Sequence, residues 1–475
     1  MNVTLPLPPP IKGVETGWPI PLLHRYQIIF CLVLLVSTAC NGEGITLNYQ
    51  KKTLSNGLRV ILVEHHELPV VAMELMIKAG SALDPADRHG LAHLTSSLLL
   101  EGTAKKTAQE LSEEIEFIGG TLRERCGYDC TTLSATSLKK DLPTLLGLLS
   151  QVVLSPSFPE EELERHREEF IASILREKDD RKAVAERHMD ELLFGNHPYG
   201  HPPIGTPEGL KVITRFDVVE FHKRYYLPNN SVLAVVGDFE PAETLKVLEG
   251  HMGGWRAAEV QVYPSPALTP RTGRRIRLLD KPDLTQTEIR LGLLGSERKS
   301  QDFFPLLLLN HILASGPSSR LYAELRAKRG LTYGVNGRFY ARKERGPFFI
   351  RTHTRNETTL EALQLLLKGL EQVRQEGISQ EELDDARAYH TGSFPLGLET
   401  PAQTASQLLE QELYGLPDDY LETYLERLGA VTLEEVNQLA KRVFTPDNRV
   451  IVLVGKASEV LEQIQSLGAV ELKWL

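Results

Sequence analysis

Several short stretches put chemically capable side chains at telling spacings. His89 and His93 stand four residues apart. On one helix that spacing would place two imidazoles on one face, within reach of a single metal ion. Gly90 between them works against a helix that starts early enough, and no carboxylate stands at a useful offset. Glu64-His65-His66-Glu67 is also rich in ligands, but it follows an apolar run and reads as a solvated turn. Ser96 and Ser97 would need a positioned base and an oxyanion hole to act as nucleophiles. No Gly-x-Ser-x-Gly elbow surrounds either one. Cys126 and Cys130 flank Gly127-Tyr128-Asp129. On a straight strand they are too far apart to bridge. Around a three-residue hairpin loop they would face each other as a disulfide, with two free thiols as the equal alternative.

The elements that must position these residues come in two copies. Lys223-Arg224 ends a helical pattern, Pro228-Asn229 makes a turn, and an apolar run continues to Gly237. Lys441-Arg442, Pro446-Asp447-Asn448 and a run to Gly455 repeat this at a constant offset of 218 residues. Strand-like runs over 58–63 and 70–77 are matched by runs over 275–279 and 286–294. Helical patterns follow, over 107–118 in the first half and 360–375 in the second. The fold class is therefore α+β: two homologous domains, about 45–255 and 271–475, each a mixed, mostly antiparallel sheet packed against helices. A Pro-rich linker over 256–270 would join them.

The composition supports a globular chain of that size, with 41% hydrophobic and 24% charged residues. Its net charge of −10 argues against nonspecific nucleic-acid binding. Near the N-terminus Ile28-Ile29-Phe30-Cys31-Leu32-Val33-Leu34-Leu35-Val36 has the length of a signal-peptide core, not of a membrane span. Ser37-Thr38-Ala39-Cys40 then resembles a bacterial lipoprotein signal, with Cys40 as the lipidated residue. Residues 1–39 would be a leader, and the mature chain would be exported to a bacterial periplasm, a lipid on Cys40 tying it to a membrane.

The ordered motifs carry a family resemblance. In the first half these are Ala79-Gly80-Ser81, His89-Gly90-Leu91-Ala92-His93, Leu100-Glu101-Gly102-Thr103, Ile118-Gly119-Gly120-Thr121-Leu122 and His197-Pro198-Tyr199-Gly200. In the second half they are Ser318-Ser319-Arg320-Leu321-Tyr322 and the stretch from Leu325 to Tyr333. From about Tyr49 onward the chain resembles the pitrilysin/insulinase family of zinc peptidases. Active members carry His-x-x-Glu-His on a helix, where the histidines bind zinc and the Glu is general base. Here the matching segment is His93-Leu94-Thr95-Ser96-Ser97. Ser96 stands at the base position and Ser97 at the second ligand. The family's third ligand, a Glu, aligns with Ser173, 76 residues beyond Ser97. One imidazole cannot hold catalytic zinc where three protein ligands are needed. The resemblance thus implies no metal in this chain and no peptidase activity alone. Arg123-Glu124 also replaces the family's Asn-Ala on the strand facing substrate.

Arg326 and Tyr333 match the family's Arg-and-Tyr motif. In related enzymes these side chains contact the substrate backbone and its developing oxyanion from the second half of the peptidase. The competing assignment is structural, with Arg326 capping a helix and Tyr333 packed on the sheet. Two-chain members of the family pair a zinc-bearing subunit with a zinc-free one. The resemblance implies the second type: a subunit forming half of a clamshell chamber and supplying Arg326 and Tyr333 in trans. Its partner would be a homologous chain with the intact motif, holding the zinc, and its substrate an unfolded peptide. A clamshell protein without a peptidase role and an active peptidase with an atypical site are the alternatives.

Overall fold

The computed structural model describes residues 47–261, 265–268 and 273–474. Cys40 and the leader lie outside the described residues. The first half supplies strands β1 (Tyr49–Thr53), β2 (Arg59–Glu64), β3 (Val70–Ile77), β4 (Thr121–Cys126), β5 (Thr131–Leu138) and β6 (Ser231–Gly237). They form one sheet in the order β1-β2-β6-β3-β5-β4. The second half supplies β7 (Arg275–Asp280), β8 (Gln286–Leu294), β9 (Val335–Phe339), β10 (Pro347–Arg355), β11 (Val450–Gly455) and β12 (Val470–Trp474). Their order is β12-β7-β11-β8-β10-β9.

Five strands of each sheet follow the same order, β2-β6-β3-β5-β4 in the first and β7-β11-β8-β10-β9 in the second. In each, the last-formed of the five pairs parallel with the first and antiparallel with the second. The two sheets differ only at one edge. β1 comes from the start of its half and runs antiparallel to β2, whereas β12 comes from the end and runs parallel to β7. The 218-residue offset carries Gly237 of β6 onto Gly455 of β11. Both strands are buried along their whole length, which is why their sequences are apolar without alternation.

Each sheet has its own core on one face. In the first, Val60, Leu75, Leu133 and Val235 pack against helices that include Leu142–Leu154 and Arg215–Tyr225. In the second, Leu278, Leu291, Ile350 and Leu453 pack against Phe303–Ala314, Thr359–Glu376 and Leu433–Val443. Thr214 and Thr432 cap corresponding helices with reciprocal capping boxes, through Asp217 and Glu435.

The opposite faces are covered by exchange. Helix Arg181–Phe194 belongs to the first half but packs on β8 and β11 of the second sheet. Helix Pro401–Tyr414 belongs to the second half but packs on β3 and β6 of the first. Val184, Met189 and Leu193 join Val452 and Val454 in one apolar cluster, and Ala405, Leu408 and Leu409 join Val232 and Ala234 in another. The described residues therefore form one compact body, although each sheet keeps a core of its own. A polar joint adds to this. The Arg342 guanidinium lies 3.9 Å from the Tyr128 ring centroid and 4.9 Å from that of Tyr199. Tyr199 donates its hydroxyl to Asp129 at 2.6 Å, and the Lys343 amide donates to the other Asp129 oxygen at 3.2 Å. The His197-Pro198-Tyr199-Gly200 motif thus serves as a contact between the halves.

Candidate functional site

The helix bearing His93 begins only at Leu91. Gly90 precedes it with φ of +106°, a left-handed conformation, and a β-carbon there would come within 2.9 Å of the Ile204 carbonyl. Asp84 accepts from the Gly90 amide at 2.7 Å and from Ala92 at 2.8 Å, which satisfies amides at the helix start. His89 therefore lies outside the helix. Its ring stacks on His201 with centroids 3.9 Å apart, so His89 and His93 do not share a helix face. The Glu64–Glu67 segment is a turn in which His66 meets Asp238 at 2.6 Å, with Lys139 on the same carboxylate.

His93 packs its ring against Phe170 of helix Glu160–Arg176, with centroids 4.8 Å apart. Burial pushes the imidazole down to about 4, so it is neutral at physiological pH. Its Nδ1 and the Ser96 hydroxyl are both buried without a hydrogen-bond partner. Ser97 turns its hydroxyl back to the His93 carbonyl at 3.1 Å. Ser173 is half-buried on the Glu160–Arg176 helix. Glu124 comes to Ser97 from β4, its carboxyl held above the usual range by burial. The donor set at the family's three ligand positions and its base position is thus one imidazole and three hydroxyls. It does not fit catalytic zinc. Neither serine is poised as a nucleophile, because one is buried and the other is bonded within its own helix.

A cluster that sequence reasoning missed lies beside this helix. Ligand atoms of Glu101, Glu162 and His166 lie within 4.8 Å of one another. Arg165 already supplies a cation there. Its guanidinium donates to Glu101 at 2.7 Å, to Glu162 at 2.5 Å and to Glu169 at 2.9 Å. We read the cluster as an ion-pair network. Its signal in the sequence was only the acidic and basic alternation along 160–169.

Arg326 and Tyr333 do come together. The Arg326 guanidinium donates to the Tyr333 carbonyl at 2.9 Å and to the Tyr322 hydroxyl at 2.7 Å. The segment Ala323–Lys328 is wound as a π-helix, continuing the short α-turn Arg320–Tyr322, so Arg326 does not cap a regular helix. The Tyr333 side chain is not packed into the core: the residue is 77% exposed, its ring facing His353 of β10 at 6.3 Å. His353 is a neighbour that the sequence reading did not include.

Cys126 and Cys130 are free thiols. The hairpin loop has four residues, not three: β4 ends at Cys126, whose cross-strand partner is Thr131. Cys126 is buried in the first core, while Cys130 packs with the cluster on the other face. The two therefore do not face each other. Cys130 lines a cavity of about 760 Å³ between the halves, together with Glu74, Arg125, Asp190 and Arg342.

Residues 59–207 match the family model for insulinase, peptidase family M16, and residues 213–389 match that for the peptidase M16 inactive domain. An uncharacterized zinc protease of Mycobacterium leprae is 30% identical over 414 residues, spanning 86% of this chain and 92% of that protein. The chain belongs to the insulinase (M16) family. Among solved M16 structures, a peptidase M16 inactive domain from Pseudomonas fluorescens superposes with a TM-score of 0.81 at 30% identity, covering 86% of this chain and 98% of that one. A Helicobacter pylori protein described as a non-peptidase homolog is 24% identical and covers 87% of this chain and 95% of its own length. Within the M16 family this is a peptidase-like chain in which His93 is the one ligand residue left at the metal and base positions, the other three being the hydroxyls of Ser96, Ser97 and Ser173.

Proposed function

We propose that the chain is the non-catalytic subunit of a two-chain zinc peptidase. It completes a substrate chamber with a homologous subunit that carries His-x-x-Glu-His and the zinc. One observation carries this reading: two of the three metal-ligand positions and the base position carry hydroxyls, while Arg326 and Tyr333 remain joined and presented to solvent. A polar pair with no catalytic centre of its own has a use when another chain brings the reacting bond to it. In that complex Arg326 would donate to a substrate carbonyl, and the Tyr333 hydroxyl would stabilise the developing oxyanion. Export, with Cys40 as a lipid anchor, is part of the same proposal.

The test is reconstitution. This chain and a zinc-motif M16 subunit encoded beside it are purified singly and together, and cleavage of an unfolded peptide is followed. Activity only in the mixture is the expected result. Chelator-sensitive cleavage by this chain alone would overturn the reading. Labelling with radioactive palmitate, abolished by Cys40→Ser, tests the anchor.

A further inference from the structure

The second sheet leaves part of one face only partly covered: Phe349 of β10 is buried there, but Arg351 and His353 are partly exposed and Arg338 of β9 is exposed. Helix Arg181–Phe194 covers β8 and β11 on that face, and Met189 there lies against Gly292 of β8. β10 and β9 lie beyond it. Strand alternation settles what they present. Phe348 and Ile350 of β10 and Val335 of β9 are in the core, so Arg351, His353 and Arg338 stand on the partly covered side.

This side concentrates positive charge with few acids to neutralise it. Arg351 is directly opposite Arg290 of β8 in the sheet register, and directly opposite Asn336 of β9. Like charges at opposed positions are destabilising. Arg338 donates only to Asn336 and to the Tyr340 hydroxyl. Among the described residues neither Arg351 nor Arg338 has a carboxylate within ion-pair distance, in a chain whose net charge is −10. Arg290 is 1% exposed at its side chain and reaches Glu288 through one guanidinium nitrogen, while Nε and Nη2 are buried with no partner. Glu288 is shared by Arg290 and Arg181, and Glu186 on the covering helix acts on Arg351 only at longer range. Burial, with Arg338 and Arg290 close by, holds the Arg351 guanidinium below its ordinary range.

We infer that this face binds an extended acidic peptide segment. The inference rests on the reading of the chain as a peptide-holding subunit, and names the charge class of what it holds. Two features favour a peptide over a polyphosphate. β9 is an edge strand paired only with β10, so its outer main-chain groups are free to add a strand. The chain as a whole is acidic, which disfavours a nucleic acid. The face also runs up to His353 and the Tyr333 ring, so a bound segment would reach the Arg326–Tyr333 pair.

The experiment uses the purified full chain alone, so it needs neither zinc nor a partner. Its failure is then distinct from failure of the subunit reading, which cleavage reports. Fluorescence anisotropy compares labelled unstructured peptides alternating Glu and Ser, Lys and Ser, or Thr and Ser, and a single-stranded oligonucleotide. Binding of the acidic peptide at least about tenfold tighter than the others is expected, weakening as salt rises from about 50 to about 300 mM. Arg338→Gln with Arg351→Gln should weaken it about tenfold with the melting temperature retained. The same charge change at Lys246→Gln with Lys441→Gln should leave it unchanged. Equal binding of all three peptides, an oligonucleotide bound as tightly, or equal loss in both double variants would overturn the inference.

Discussion

The sulfur of Met189 occupies the space in which a side chain on Gly292 would begin: a β-carbon there would lie 2.5 Å from it. Met189 comes from the first half and Gly292 from the second sheet. Their contact belongs to a reciprocal arrangement, in which each half covers the other's sheet with one helix.

Met189→Ala should therefore destabilise the whole body and not one half. Met189 is 1% exposed, and a buried methionine truncated to alanine costs about 2–5 kcal/mol. Urea unfolding followed by far-UV circular dichroism should give one transition with an earlier midpoint. Two separated transitions, with only one moved, would contradict the exchange as a source of shared stability.

Arg326→Ala and Tyr333→Phe should leave folding intact, since exposed substitutions usually change stability by no more than about 0.5 kcal/mol. In the reconstituted complex each should lower kcat, by roughly 10²–10³-fold if it supplies an oxyanion donor. Steady-state kinetics on an unfolded peptide decides this. Unchanged kcat in both variants would remove the proposed role in trans.

Acid should weaken the fold through its buried histidines. His93 takes a proton near its ordinary 6.5 when unfolded but only near about 4 when folded. The unfolded state binds more protons between those values, so stability is fully present above 6.5 and falls as pH drops toward 4. A shift of this size is worth at most about 3.5 kcal/mol. His93→Gln should flatten the decline seen in urea midpoints between pH 7 and pH 4.5. His222, also driven down to about 4 by burial, should leave part of the decline in place.

The thiols should be slow to react. Burial pushes Cys130 up to about 12 and Cys126 above its ordinary range as well, so little thiolate forms at neutral pH. A disulfide-exchange reagent should titrate neither at pH 7.5 until urea is added. Absence of both thiols after unfolding without reductant would show instead that they had paired.

Much of the fold was legible because its central strands announce themselves. β6 and β11 are buried on both faces, so each reads as an unbroken apolar run after a Pro-Asn or Pro-Asp turn, and their constant spacing exposes the duplication. Helix spacing fixes which positions of a His-x-x-Glu-His motif matter, so the hydroxyls of Ser96 and Ser97 stand out from the sequence itself. The exchange of helices was not legible. Arg181–Phe194 shows an apolar stripe, but a stripe does not say which sheet it covers. The Cys126–Cys130 loop was misjudged by one residue, and in a strand one residue turns a side chain to the other face. The π-wound turn under Arg326 leaves no periodic mark in so short a segment. The arginine face escaped because Arg290, Arg338 and Arg351 are scattered in sequence and are gathered only by the register of β8, β9 and β10.

The traded helices also bear on how such a chain can change over generations. After a duplication, either copy could in principle be deleted, shuffled or replaced. Once each has surrendered a covering piece to its sibling, a cut at the middle strips both, and recombination at the boundary yields two fragments with raw apolar surfaces. The pair is bound to be inherited as a single unit, free to vary at its partly covered outer strands and held fixed where it is interlocked.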